Sequence, residues 1–355
     1  MKILHYNYSL ALGGIETMLV NIANVQAAEG HDVYIVVLWN KYDQSLLDRL
    51  DKRIHLVLIN KPSDSRNIYY YFKANYYLTK INADIYHIHS ARLVETIITP
   101  FVKSKMCVTQ HSNCDFFGST SLKKFKHIYA ISDSVKDDIN KSFHLESKRI
   151  YNGIELESIN NTLNRYSSND GLFHIVQVGR LQHRIKGQHL LIEAVAKLVD
   201  DGYNNLKLDI IGDGPSMEYL KSLSVNLGVK ENVRFLGSKS QDYIFDNLCR
   251  YDLSVQPSIT EGFGLTVAEA IAAKVPVLVS DNPGPMEVIC HGKYGMFFKI
   301  GDVDDCASKI KSIITKGYDR QIIENAYKFV LQEFSVYNTA LKYIQEYESI
   351  INKTI

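Results

Sequence analysis

Short apolar runs alternate along the chain with longer stretches in which apolar residues recur every three or four positions. This alternation is the mark of strand–helix–strand units built around parallel sheets. A strand at Ile3–Tyr6 leads through a loop at Gly13-Gly14 into a helix whose apolar face carries Ile15, Met18, Leu19, Ile22 and Val25. Gly30 stops that helix before a strand at Val33–Leu38. Further strands are expected at Ile54–Ile59, Ile85–Ile88, Lys105–Thr109 and Ile128–Ile131. The polar, Asn- and Ser-rich stretch Asn160–Gly171 reads as a linker. The opening pattern then returns, with a strand at Phe173–Val178, a loop holding Gly179 and Gly187, and a helix with Leu190, Leu191, Ala194, Val195 and Leu198. Gly202 is its stop, and a strand at Leu206–Ile211 follows. The last segment, Val336–Ile355, reads as a long helix with no strand after it, expected to cross back onto the first domain. The expected fold is therefore α/β, with two doubly wound domains at residues 1–165 and 170–335 and the helix 336–355 joined to the first. Their switch-point crevices are expected to face each other across a cleft.

Composition narrows the class. A chain of 355 residues is too long for one ordinary core, which agrees with two domains. A formal net charge of +1 argues against a dedicated nucleic-acid binder, and the slight positive surplus falls in the first half. The five cysteines (Cys107, Cys114, Cys249, Cys290 and Cys306) are odd in number and form no CxxC pair. That speaks against a disulfide framework or a zinc site and suits a reducing cytosol. The N-terminus opens directly on a strand, and no run of 18 apolar residues occurs, so neither secretion nor membrane spanning is expected.

The sharpest candidate for chemistry is Ser258-Ile-Thr-Glu261-Gly262-Phe263-Gly264-Leu265-Thr266-Val-Ala-Glu269. It follows an apolar strand at Leu253–Gln256 and precedes an Ala-rich helix and a strand at Val275–Val279. Amides of Phe263 to Thr266 at a helix N-terminus favour an anion, and Gly262 and Gly264 let the backbone approach it. Glu261 before the turn and Glu269 in the helix supply one acid for a sugar and one for a ribose. The bland alternative is a helix capped by Thr266 with a solvated Glu269. A second candidate is Val178-Gly179-Arg180-Leu181 with Lys186-Gly187, two cations in a Gly-bounded loop that can neutralise a diphosphate; an exposed loop with ordinary cations is the alternative. A third is Gly13-Gly14-Ile15-Glu16, whose amides open a helix, although a tight strand-to-helix turn explains the same residues. Its spacing is not GxGxxG, which argues against a nicotinamide-dependent dehydrogenase. His111, in Thr109-Gln-His111, ends an apolar strand where a parallel sheet exposes its ligands, and His89 ends the preceding strand and reads as structural. Neither an HExxH pattern nor an Asp-x-Asp suited to a metal–diphosphate site follows any strand.

Assembled, these motifs resemble glycosyltransferase family 4, the retaining enzymes of the two-domain GT-B fold. The likeness extends through Tyr86-His-Ile-His89-Ser90, Ala130-Ile-Ser132, Asn152-Gly153-Ile154, Ile211-Gly-Asp-Gly-Pro215 and Val233-Arg-Phe-Leu-Gly237. It implies that Glu269 holds the ribose hydroxyls, that Glu261 holds the donor sugar, and that Arg180 and Lys186 hold the diphosphate. Amides at Gly14 and along Gly262, Phe263, Gly264 and Leu265 would assist, His111 would contact the hexose, and Ser238 and Lys239 would read the base. No metal or other cofactor is implied. Three departures stand out. The spacing between Leu181 and Lys186 is one residue longer than is common, which lets Arg184 compete for the lysine's role. Glu155 replaces an Asp after Asn-Gly-Ile, and Gly-Gly-x-Pro-Glu appears as Pro283-Gly284-Pro285-Met286-Glu287.

The implied activity is transfer of a hexose or N-acetylhexosamine from a nucleotide-diphosphate sugar, UDP favoured over GDP-mannose, to a glycan or lipid-linked acceptor. Bacterial surface-polysaccharide synthesis is the expected setting, in the cytoplasm and at the inner face of the membrane. Two rivals are a sugar-nucleotide epimerase on the same fold and a non-catalytic partner subunit. Lys103, Lys105, Lys123, Lys124 and Lys126, with Tyr69-Tyr70-Tyr71-Phe72 and Tyr76-Tyr77, suggest a peripheral membrane contact. An aromatic helix packed on its own sheet beside solvated lysines is the other reading.

Overall fold

The computed structural model describes residues 1–11, 13–112, 120–161 and 171–352. The chain divides into two compact units, Met1–Glu155 with Phe334–Ile355, and Leu156–Glu333. Most of the expected linker, residues 162–170, lies outside the described residues, as does Cys114. Asn160 and Asn161 belong with the second unit, where Asn160 N donates to Phe245 O and Asn161 Nδ2 donates to the Tyr327 hydroxyl.

The first unit is a parallel sheet of seven strands: β1 Lys2–Asn7, β2 Asp32–Trp39, β3 His55–Lys61, β4 Ile85–Ile88, β5 Met106–Gln110, β6 His127–Ala130 and β7 Lys148–Arg149. Their order is β3-β2-β1-β4-β5-β6-β7. The crossover helices are α1 Gly14–Ala28, α2 Gln44–Asp48, α3 Tyr69–Ile81, α4 Pro100–Ser104 and α5 Asp133–Phe143. The second unit repeats the plan with β8 Phe173–Val178, β9 Leu206–Ile211, β10 Val233–Gly237, β11 Leu253–Gln256, β12 Val277–Ser280 and β13 Met296–Phe298, in the order β10-β9-β8-β11-β12-β13. Its helices are α6 His183–Lys186, α7 Gln188–Asp200, α8 Met217–Asn226, α9 Gln241–Asn247, α10 Leu265–Ala272, α11 Pro283–Val288, α12 Val303–Lys316 and α13 Arg320–Glu333, and α14 Val336–Asn352 returns to the first unit. In each sheet the order reverses at the first strand, between β1 and β4 and between β8 and β11. That is where an open α/β sheet leaves a crevice beyond its strand ends.

The apolar runs become strands because a parallel sheet is covered on both faces. Every residue of β4, β11 and β12 is buried. Strand β12 begins at Val277 rather than Val275, because Pro276 has no N–H for the ladder and offers only its carbonyl, to Ser254 N. On α14, Val336, Ala340, Tyr343, Tyr347 and Ile350 follow a four-three spacing on one face. They bury against Ile3, Ile85, Cys107 and Tyr129 of the first sheet. No helix among the described residues is long and apolar enough to cross a membrane.

Candidate active site

The second unit builds its site from loops at the C-terminal ends of β8, β9, β11 and β12, locked together by backbone contact. Leu181 N donates to Asp213 O, and Ser216 N donates to Leu181 O. A Cβ on Gly212 would stand 2.0 Å from Gly179 O, and one on Gly214 2.4 Å from Leu181 O, so only glycine allows the β9 loop to rest on the β8 loop. The β8 loop is joined in turn to the β11 loop, because Ile185 O accepts from both Ile259 N and Thr260 N. Gly187, at φ +66, lies where a Cβ would meet Pro257 O at 1.9 Å. From the β12 side, Ser280 Oγ donates to Ser258 O at 2.5 Å and Asn282 Nδ2 donates to Ile259 O at 2.9 Å. Gly284 packs beneath the turn, 2.6 Å from Glu261 O to a hypothetical Cβ.

On this frame Lys186 and Glu261 form an ion pair, with Ser258 Oγ 3.5 Å from the same carboxylate oxygen. Arg180 is exposed at the end of β8, its carbonyl fixed by Gln188 Nε2 at 2.9 Å. Arg184 is exposed on the short α6, so the structure joins Lys186, not Arg184, to Glu261. Phe263 buries its ring and anchors the turn, and Gly264, at φ +111, is the N-cap of α10. The helix therefore starts without a side-chain cap, and Thr266 is not the capping residue. Its hydroxyl donates instead to Gln256 Oε1 at 3.4 Å. Gly262 and Leu265 flank that cap, and Glu269 stands half-buried on the second turn of α10. Ser238 and Lys239 follow β10, the edge strand two places from β8, and Lys239 lies over the Tyr243 ring at 5.1 Å. They are not part of the Lys186–Glu261 cluster.

In the first unit, Gly14 is the first residue of α1, and the Glu16 carboxylate accepts from Ser9 Oγ at 2.9 Å. Burial raises the Glu16 carboxyl above its usual range, with the Ser9 hydroxyl acting the other way. His111 lies at the C-terminal end of β5 as the last ring of a buried array. His111 Nε2 is 3.4 Å from His89 Nδ1, His89 Nε2 is 3.0 Å from His5 Nδ1, and His5 Nε2 is 2.7 Å from Gln26 Oε1. His87 bonds through Nδ1 to the Tyr347 hydroxyl and through Nε2 to Thr109. Burial lowers His5 to about 4 and His111 to about 3, and holds His87 and His89 well below the ordinary histidine value. His5, His87 and His89 are close enough to share an ion, but all six of their ring nitrogens already have hydrogen-bond partners, so the cluster is a structural network.

Of the lysines expected at a membrane, Lys124 is paired with Glu95 and Lys105 donates to Ala83 O, while Lys103, Lys123 and Lys126 are exposed. Sequence reasoning missed Ser280, Asn282 and Gln256, which hold the turn, and Gln26, which ends the histidine array. Gln256 and Ser280 are the last residues of buried strands and Asn282 follows two residues later, a signal present in the sequence but not tied to a partner there.

Residues 12–158 match the family described as Glycosyltransferase Family 4, and residues 159–329 match Glycosyl transferases group 1. The chain is 32% identical over 234 residues to an uncharacterized glycosyltransferase of Methanocaldococcus jannaschii, covering 62% of this chain and 59% of that protein. It is 28% identical over 214 residues to the N-acetyl-alpha-D-glucosaminyl L-malate synthase of Bacillus anthracis, covering 60% and 53%. The chain thus spans little more than half the length of these curated relatives. Among solved structures, Anabaena HepE in complex with UDP superposes with a TM-score of 0.83 at 22% identity, over 98% of this chain and 100% of that one.

Proposed function

Since the chain belongs to glycosyltransferase family 4 and has the GT-B fold, we propose that it is a retaining transferase that moves a hexose or N-acetylhexosamine from a nucleotide-diphosphate sugar to a glycan or lipid-linked acceptor. A UDP-sugar is preferred over GDP-mannose, and the setting is synthesis of a bacterial surface polysaccharide at the cytoplasmic face of the membrane. The observation that carries this reading is the glycine-packed turn that joins Glu261, Lys186 and the N-terminus of α10 at a sheet switch point. UDP in the HepE structure supports the choice of base.

The mechanism follows from where charge grows. As the anomeric C–O bond breaks, negative charge builds on the leaving diphosphate and positive character on the sugar ring. Arg180, Lys186 and the amides at Gly262, Phe263, Gly264 and Leu265 answer the first. Glu261 engages the sugar, Glu269 the ribose, and Ser238 with Lys239 the base. Retention follows from same-face attack guided by the leaving phosphate. No metal is required in this scheme.

A thermal-shift screen of UDP-, GDP- and ADP-sugars tests it, since a ligand that binds the folded state raises stability by mass action. A UDP-sugar should raise the midpoint most, and transfer should persist in EDTA. A chain stabilised by no nucleotide sugar, or turnover lost in EDTA and restored by magnesium, would contradict the reading.

The membrane contact rests on a patch of the first unit. Ile68, Tyr69, Phe72 and Tyr76 are exposed along α3, and Ile98 and Phe101 are exposed on the segment that Asn75 and Thr79 tie to it. Lys103, also exposed, follows Phe101 by two residues on α4. Apolar and aromatic groups rimmed by lysine suit an anionic interface. Flotation with anionic liposomes should fall with salt and with Phe72→Ser, and flotation indifferent to both would remove the membrane from the proposal.

A further inference from the structure

Lys186 and Glu261 arrive on loops that follow different strands and meet as an ion pair at 24% and 17% side-chain exposure, so water screens them only in part. The backbone gives neither partner room to withdraw. Ile185 O holds both Ile259 N and Thr260 N, Gly187 is pressed on Pro257, and Gly284 is pressed on Glu261. Any exchange of partners at this pair therefore falls to the two side chains. A lysine ammonium is a compact point charge, and a carboxylate that holds it cancels much of its field at an approaching phosphate. The same carboxylate also repels that phosphate.

We infer that Glu261 is a specificity-determining residue that competes with the donor's diphosphate for Lys186. In the unliganded chain the carboxylate keeps the lysine neutralised. A diphosphate, with several negative charges, takes the lysine over and leaves Glu261 to engage the sugar. A group without that charge leaves the pair intact. The inference deepens the donor reading above and rests on Lys186 as a diphosphate ligand.

Titration calorimetry on the full chain with inorganic pyrophosphate, UDP and uridine tests it. Glu261→Gln should tighten pyrophosphate and UDP by roughly 3- to 10-fold, the scale of one partly exposed ion pair, and leave uridine unmoved. Lys186→Met should weaken both phosphates, and in that background Glu261→Gln should change pyrophosphate binding by less than about twofold, since no lysine remains to be released. Unchanged or weaker binding in Glu261→Gln, with Lys186→Met still harmful, overturns the competition and spares the donor site. Equal tightening with and without Lys186 also overturns it, because bulk charge then explains the gain. If Lys186→Met costs nothing, or no variant binds a diphosphate, the donor reading itself fails and the inference with it.

Discussion

Single residues decide how the histidine array behaves. Four imidazoles form one array in which every nitrogen of His5, His87 and His89 is paired, to another ring, to Gln26, to Thr109 or to Tyr347, and His111 joins through Nε2 while its Nδ1 has no partner; burial lowers the pKa of all four. An unfolded chain protonates histidine near pH 6.5, so below that value it binds protons that the folded array refuses. The stability these rings contribute is complete above about pH 6.5. It is lost as pH falls toward the folded values, about 4 for His5 and about 3 for His111. The slope is about 1.4 kcal/mol per pH unit for each ring held neutral. The urea midpoint should therefore drop steeply between pH 7 and pH 5, and less steeply in His5→Gln. A flat midpoint over that range would mean that the rings are not held neutral.

At the scale of elements, the sequence made the long pieces plain and hid the joints. Strands β8, β9 and β11 lie where their apolar runs place them, and α14 begins at Val336, because burial on both sheet faces or on one helical stripe writes a pattern into consecutive residues. Strand β7 is two exposed residues and α6 a single turn, too short to carry a period. The frame of the site was legible only in part. Glu261, Lys186 and Gly187 stood out by type and spacing, but the contacts that seat them join residues such as Ser280 and Ser258, or Gly284 and Glu261, and spacing does not reveal a partner across strands. The same holds for α14, whose contacts with the sheet include two hydroxyls, Tyr347 on His87 and Tyr343 on Thr109. Tyr347→Phe leaves His87 Nδ1 without its partner in a buried site and should cost roughly 1–3 kcal/mol in urea unfolding. A loss under about 0.3 kcal/mol would show the hydroxyl to be dispensable for docking α14.

At the scale of the whole molecule, two units repeat one strand order, and the second unit carries the two carboxylates to which the proposed mechanism gives different roles. Glu269 is assigned to the ribose, a part of the donor that does not change during reaction, so its loss removes uniform binding. Glu269→Gln should raise the donor KM more than it lowers kcat. Glu261 is assigned to the sugar, whose shape and charge change as the transition state forms. Glu261→Gln should lower kcat by roughly ten- to a thousand-fold, the effect of one charge-assisted contact worth about 1.5–4 kcal/mol. The donor KM should move little in that variant, because release of Lys186 to the diphosphate offsets the lost contact to the sugar. Glutamine keeps the volume at both positions, and the turn is held by backbone contacts at Gly187 and Gly284 and by the Ser280 hydroxyl, so thermal midpoints should stay close to that of the parent chain. Steady-state kinetics with the reverse pattern, KM moved by Glu261 and kcat by Glu269, would exchange sugar and ribose between the two acids. No change in either variant would take both carboxylates out of the donor site.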